Sequence, residues 1–168
     1  MLLPKKLVNF LEKNKVKYDV LEHRTVYTAF DKAKTLKVKP NIVGKTLALK
    51  VDRELIVVLL TANKNIDKIK LKKIINLYRK KTKEKAVKKI DFASERLIKN
   101  RFKGVKLGAI PPFGNLFKIQ TIVSRSLLSK PEIIISSGCY DKSIKIKGAS
   151  LKKIIPNLMT GSFEKAKK

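Results

Sequence analysis

Asn41-Ile-Val-Gly-Lys-Thr-Leu-Ala-Leu49 holds a single charge, Lys45, in an otherwise uncharged window, and leads through Lys50-Val-Asp-Arg-Glu54 into Leu55-Ile-Val-Val-Leu-Leu-Thr-Ala62. Thr46 to Val51 and Leu55 to Ala62 are strongly apolar runs separated by Asp52-Arg-Glu54, a spacing that predicts a β-hairpin or a short strand connection. Lys45 then stands at the start of a buried strand. Perturbed charges concentrate at functional sites, whereas the structural alternative is a lysine that snorkels from an edge strand.

Working outward, Pro4 at a first helical position with Leu7, Phe10 and Leu11 at i, i+3, i+4 spacing predicts an amphipathic helix ending near Asn14 and covering one sheet face. A short strand from Lys17 to Val20 and a loop through Leu21-Glu-His-Arg-Thr25 follow. Thr28 with Asp31 three residues on is a capping arrangement for a helix to about Leu36 that stops before Pro40. From Ile66 the period becomes helical through Ile69, Leu71, Ile74, Ile75 and Tyr78. Ala86 to Ile90 predicts a strand, with Asp91 as N-cap of a helix over Ser94 to Asn100. Strands at Ile119 to Val123, Ile133 to Ser136 and Ser143 to Lys147 precede a terminal helix, Ser150 to Ile155. With no internal repeat and no long linker, one mixed α/β domain is the economical reading.

The 168 residues carry 41 Lys plus Arg against 13 Asp plus Glu, a formal charge of +28. Hyperthermophile composition enriches Glu alongside Lys, and here acids are scarce, so the excess implies a polyanionic partner. Nucleic acid is favoured over a membrane surface because no basic stretch carries the Trp, Phe and Leu face of an interfacial helix. A single cysteine, Cys139, excludes an intrachain disulfide framework and fits a reducing cytoplasm. The longest apolar run is too short to span a bilayer, and Met1-Leu-Leu-Pro-Lys-Lys lacks a signal-peptide core, so a soluble cytoplasmic protein is expected.

Gly44-Lys45-Thr46 has the ending of a phosphate-binding P-loop, but the loop needs a glycine five positions before Gly44, where this chain has Lys39. His23 is the only histidine, and no ligand spacing joins it to Cys139 and the carboxylates, so no metal is expected. A Cys139 and His23 nucleophile pair is a further reading, since such pairs are spatial rather than sequential. Gly108-Ala-Ile-Pro-Pro-Phe-Gly114 encodes a rigid loop whose backbone can face a ligand, or an ordinary tight connection. Ser136-Ser-Gly138 places small residues at a strand end, for close substrate approach or merely for a turn.

Tyr18-Asp-Val-Leu-Glu-His23, Thr28-Ala29, Lys45-Thr-Leu47, the Gly108 to Gly114 loop and Ser136-Ser-Gly138 occur in the order seen in the YbaK and prolyl-tRNA synthetase editing-domain superfamily, which the chain resembles from about Lys5 to Ile155. The resemblance implies a single editing domain over 1–168, with a mixed, curved or barrel-like sheet surrounded by helices and a short basic tail over 160–168. It also implies a trans-acting aminoacyl-tRNA deacylase, without cofactor, that hydrolyses the ester of mischarged tRNA for proline. Cys, Ala, Ser and Thr are the candidate acyl groups. Lys45 and Thr46 match the catalytic positions, Lys45 as an electrostatic positioner. Ser136, Ser137, Gly138, Gly108, Ala109, Pro111, Phe113, Gly114, Leu21 and His23 match the pocket.

Leu21, where cysteine-specific members carry tyrosine, and Ser143, where they carry aspartate, depart from that pattern at substrate-selecting positions. The implied partners are the aminoacylated 3′ end of tRNA and prolyl-tRNA synthetase, acting with a monomer or a homodimer. The charge reading adds Lys68, Lys70, Lys72, Lys73, Arg79, Lys80 and Lys81 as a tRNA-facing surface. A non-catalytic RNA-binding module that retains the fold is the competing reading.

Overall fold

Every residue from Leu55 to Thr61 is buried, as a central strand covered on both faces must be, and the rest of the molecule is arranged around it. The computed structural model describes residues 2–167. The chain runs α1 (Lys5–Lys13), β1 (Tyr18–Glu22), α2 (Ala29–Thr35), β2 (Gly44–Val51), β3 (Glu54–Thr61), β4 (Lys64–Ile66), α3 (Lys68–Lys81), β5 (Ile90–Phe92) and α4 (Glu95–Arg101). It continues through β6 (Gln120–Ser124), α5 (Arg125–Leu128), β7 (Ile133–Ser136), β8 (Lys142–Ile146), α6 (Gly148–Ile154), β9 (Met159–Gly161) and β10 (Glu164–Ala166).

The main sheet has the order β5-β2-β3-β6-β9, antiparallel from β5 to β3 and parallel from β3 to β9. The expected hairpin is β2–β3, closed by Asp52-Arg53 with Asp52 left-handed at φ 53°. Its carboxylate accepts the Lys88 and Lys89 amides, which ties the turn to the approach to β5. A second sheet, β1-β8-β7, is antiparallel, and a parallel bridge between Val43 and Ile134 joins the two sheets where β2 begins. Leu71 and Ile75 of α3 pack on one face of the main sheet against Leu49, Val58 and Leu60. Phe102, Ile110 and Ile119 cover the other face over Ala48 and Val57. Leu7 and Leu11 of α1 close a third cluster with Ile133, Ile135 and Ile144.

Several boundaries differ from expectation, each for a physical reason. β1 continues through Leu21 and Glu22, read as loop, because β8 offers them pairing partners in Ser143 and Lys142. The strand placed at Ala86 to Ile90 is β5, starting at Ile90, and Asp91 pairs with Lys50 instead of capping a helix. Ser94 is the cap, its hydroxyl accepting the Leu97 amide. The last helix begins at Gly148, where an added Cβ would lie 2.3 Å from the Leu127 carbonyl oxygen, so only glycine permits this close approach to α5. It is not terminal: β9 completes the main sheet and β10 pairs with β4. The stretch expected as a basic tail is therefore partly strand.

Candidate active site

Four chain segments meet where the two sheets join. α2 is started by Thr28, whose hydroxyl accepts the Asp31 amide at 3.1 Å, and this sets Ala29, Lys32 and Ala33 toward the sheets. β2 opens with Gly44, Lys45 and Thr46, and β7 ends at Ser136. The loop at Gly108, with φ +84°, is stitched to the Ser136 turn by the Gly138 amide on the Ala109 carbonyl at 2.8 Å and the Lys106 amide on the Gly138 carbonyl at 3.0 Å. Between them lies a cavity of about 210 Å³. Lys45, Thr46, Gly108, Ala109 and Ser136 line it, together with Lys32, Val26, Cys139 and the Tyr27 to Ala29 segment. A larger groove of about 650 Å³ between α1 and β1 carries Glu12, Asp19 and Glu132 balanced by Lys17, Lys145 and Lys147, and it contains none of the residues singled out in the sequence as candidate site residues.

Lys32 is the residue that sequence reasoning missed. It is only 6% exposed, and its Nζ donates to Ser136 Oγ at 3.2 Å. Loss of hydration lowers the amine to about 8, and among the described residues no carboxylate pairs with it. The available signal was its position: it falls three residues after Ala29 and four before Leu36, on the buried stripe of α2. Lys45 is half-buried and donates to the Lys64 carbonyl at 2.6 Å. Burial holds its amine below the ordinary value, the charge of Lys167 adds to that, and Glu164 opposes it. The adjoining Thr46 Oγ1 is buried and has no hydrogen-bond partner among the described residues.

Glu164, the only acid after Asp141, also went unread in the sequence. Its carboxylate on β10 accepts the Thr61 amide at 2.9 Å, the Thr61 hydroxyl at 2.6 Å, and the hydroxyls of Ser124 and Ser126. Burial pushes its carboxyl upward, but the four hydrogen bonds outweigh burial and leave it below the usual glutamate value. This clasp holds β10 beside β4, whose Lys64 carbonyl receives Lys45.

Other sequence candidates lie outside the cavity lining. Phe113 is fully buried against Phe10, with ring centroids 5.2 Å apart, and Pro111 is buried in the same loop. Gly114 donates to Thr121 Oγ1, and a Cβ there would sit 2.5 Å from the Ile119 carbonyl oxygen. These residues shape the loop from behind. Ser137 donates to the Lys142 carbonyl at 2.6 Å, and Gly138, at φ +94°, completes that turn. Leu21 packs with Ala33, Val43 and Ile134. His23 Nε2 lies 2.9 Å from Ser143 Oγ and Nδ1 lies 2.7 Å from the Arg24 carbonyl. Both ring nitrogens are thus engaged away from Cys139, whose thiol burial pushes up and Asp141 pushes further. A thiolate–histidine pair is not assembled here.

Tyr27, part of the cavity lining, is 67% exposed, and its ring packs edge-on against Tyr140 at 4.8 Å. Phe30 on α2 has the ammonium groups of Lys34 and Lys167 each 4.9 Å from its centroid. On α3, Lys70, Lys73, Lys80 and Lys81 are exposed, Lys68 lies over Phe92, and Lys72 bonds the Lys88 carbonyl. Arg79 is committed to the fold, reaching Glu54 at 3.5 Å, the Lys85 carbonyl at 3.0 Å and Glu84 at 3.9 Å.

Among solved structures, the hypothetical protein APE2540 superimposes with a TM-score of 0.80 at 16% identity, over 96% of this chain and 100% of that one. A protein provisionally described as a trans-editing enzyme for prolyl-tRNA synthetase superimposes with a TM-score of 0.76 at 15% identity, over 98% and 100% of the two chains. A provisionally assigned signal-transduction protein from Marinobacter aquaeolei VT8 contains the same fold, with a TM-score of 0.67 at 14% identity over 97% of this chain but 31% of its own. At these identities the matches establish the fold. The sequence model of the aminoacyl-tRNA editing domain matches residues 23–154, a span that holds α2, Lys45, the Gly108 loop and Ser136, and the chain belongs to that family.

Proposed function

We propose that this protein is an aminoacyl-tRNA deacylase that removes a wrong amino acid from tRNA for proline in trans, as a proofreading step of translation in the cytoplasm. The observation that carries the reading is the convergence of Lys45, Thr46, Ser136 and the Gly108 loop on one small cavity whose lining also includes Lys32 and Tyr27. A cavity of about 210 Å³ suits an aminoacyl ester and excludes a folded RNA. The exposed rings of Tyr27 and Phe30, flanked by Lys34 and Lys167, suit the unpaired 3′ end, where bases stack on aromatic faces and phosphates meet lysines.

In this reading the ester enters with its carbonyl oxygen toward Lys45. Water attacks the carbonyl carbon, the carbonyl oxygen takes up negative charge, and the ribose 3′ oxygen leaves with a proton. Lys45, fixed on a strand and partly desolvated, stabilises that charge without reorganising, and a preorganised donor of this kind is worth about 100- to 1000-fold in turnover. The +28 charge supports capture of tRNA: a hydrolase of free small esters gains nothing from it.

The test is hydrolysis of tRNA for proline charged with Cys, Ala, Ser or Thr, with and without prolyl-tRNA synthetase. Turnover of at least one of these esters is expected. Binding of charged and uncharged tRNA alike, with no hydrolysis of any ester, would replace the enzyme by an RNA-binding module on the same fold.

A further inference from the structure

Lys32 is an uncompensated buried cation. An ammonium carries three donors, and only Ser136 Oγ receives one among the described residues. The neighbouring wall is apolar at Val26, Ala29 and Ala109. A charge in such a setting costs stability unless an oxygen partner arrives, so its natural complement is a ligand atom that accepts hydrogen bonds. Thr46, in the same cavity lining, repeats the pattern independently: its Oγ1 is buried and has no hydrogen-bond partner among the described residues. Two polar groups from different elements, α2 and β2, are thus left incomplete around one cavity.

Resting on the deacylase reading above, we propose that Lys32, Ser136 and Thr46 form the pocket for the acyl side chain and select hydroxyl-bearing acyl groups, seryl or threonyl, over alanyl and cysteinyl ones. A hydroxyl is the small group that can accept from the Lys32 ammonium while donating to a neighbouring hydroxyl. A methyl would leave the Lys32 ammonium desolvated with Ser136 as its one acceptor among the described residues, and a thiol is a weak acceptor. Pockets that merely sense size separate such groups by about 10- to 200-fold, whereas a site built to bond a hydroxyl rejects analogues lacking it far more strongly. The departures at Leu21 and Ser143 agree with a selectivity unlike that of cysteine-specific relatives: both are drawn away from the cavity, Leu21 into an apolar cluster and Ser143 onto His23.

The experiment compares hydrolysis of seryl-, threonyl-, alanyl- and cysteinyl-tRNA by the wild type, Lys32→Met and Ser136→Ala. Alongside it, the affinities of the non-hydrolysable amides 3′-seryl- and 3′-alanylamino-3′-deoxyadenosine are measured by calorimetry. Lys32→Met keeps the side chain's length and removes the unpaired charge, so the fold is retained. The wild type is expected to favour seryl over alanyl by about 100-fold or more, and Lys32→Met to bring the ratio within about tenfold by losing seryl turnover. Ser136→Ala should move the ratio in the same direction. Preference for alanyl or cysteinyl esters, or an unchanged ratio in folded Lys32→Met, overturns the pocket while leaving a deacylase in place. Tighter binding of the seryl amide with no hydrolysis of any ester removes the deacylase and keeps the pocket. Binding of neither amide together with no hydrolysis removes both.

Discussion

Lys32 Nζ lies 3.2 Å from Ser136 Oγ, joining α2 to the end of β7 across 104 residues of chain. The contact fixes the distance between the helix and the sheet on either side of the cavity. It also places a charge where the fold alone does not reward one, since a lone hydroxyl repays little of the lost hydration.

The amine of Lys32 is near 8 in the folded protein against 10.5 for an ordinary lysine. Above about pH 10.5 both states are neutral and the fold carries no penalty; as pH falls from there toward 8 the unfolded chain binds the proton first, and below 8 the penalty is complete. Lys32→Met should therefore stabilise the protein at pH 7 by on the order of 3 kcal/mol, with the gain shrinking as pH rises from 8 and largely gone at pH 10.5. Urea titrations at the two pH values measure this. A lower midpoint for the variant at pH 7 would contradict it.

Lys45→Ala should leave the fold intact, because the side chain is half-buried and its single hydrogen bond is to a main-chain carbonyl. Deacylation of mischarged tRNA for proline should fall about 100- to 1000-fold, the scale of losing one preorganised donor. Single-turnover assays on matched circular-dichroism samples separate chemistry from folding. Near-wild-type turnover in a folded variant would remove Lys45 from the site.

Glu164 binds its proton less readily in the fold than in the unfolded chain, so its contribution is present above about pH 4.5 and lost as pH falls through the lower folded value. Glu164→Gln should weaken the clasp by about 1 kcal/mol, a figure kept small because the side chain is only partly buried. The loss should be local, with faster hydrogen exchange at the Glu164 to Ala166 amides and little change in β3. Uniform acceleration throughout the sheet would show that the carboxylate supports the whole fold instead.

Replacing Lys70, Lys73 and Lys80 together by Ala should weaken tRNA binding and lower the slope of log affinity against log salt by roughly 2, since each lost phosphate contact removes about 0.7 to 0.9. Arg79→Ala should instead lower thermal stability with a smaller effect on the slope, because its guanidinium is already spent on Glu54, Glu84 and the Lys85 carbonyl. Filter binding at several salt concentrations distinguishes the two groups. Equal slopes for the triple variant and wild type would place the tRNA elsewhere.

The sequence by itself determined the parts whose signal is local and repeated. The apolar runs on either side of Asp52 could only be satisfied by adjacent strands, Leu7, Phe10 and Leu11 specified one helix face, and the Thr28 hydroxyl marked the start of α2 through a hydrogen bond three residues long. Lys45 and Ser136 were legible because each interrupts an apolar pattern. Short elements were not: β4, β9 and β10 have three residues each, too few for a period to show, and they exist because partner strands complete their hydrogen bonds. Tertiary structure alone decided which polar groups became isolated from water. It buried Lys32 beside Ser136, left the Thr46 hydroxyl without a hydrogen-bond partner among the described residues, and folded Glu164 back onto Thr61, Ser124 and Ser126. Desolvation depends on what the rest of the chain packs around a side chain, and no local spacing encodes that.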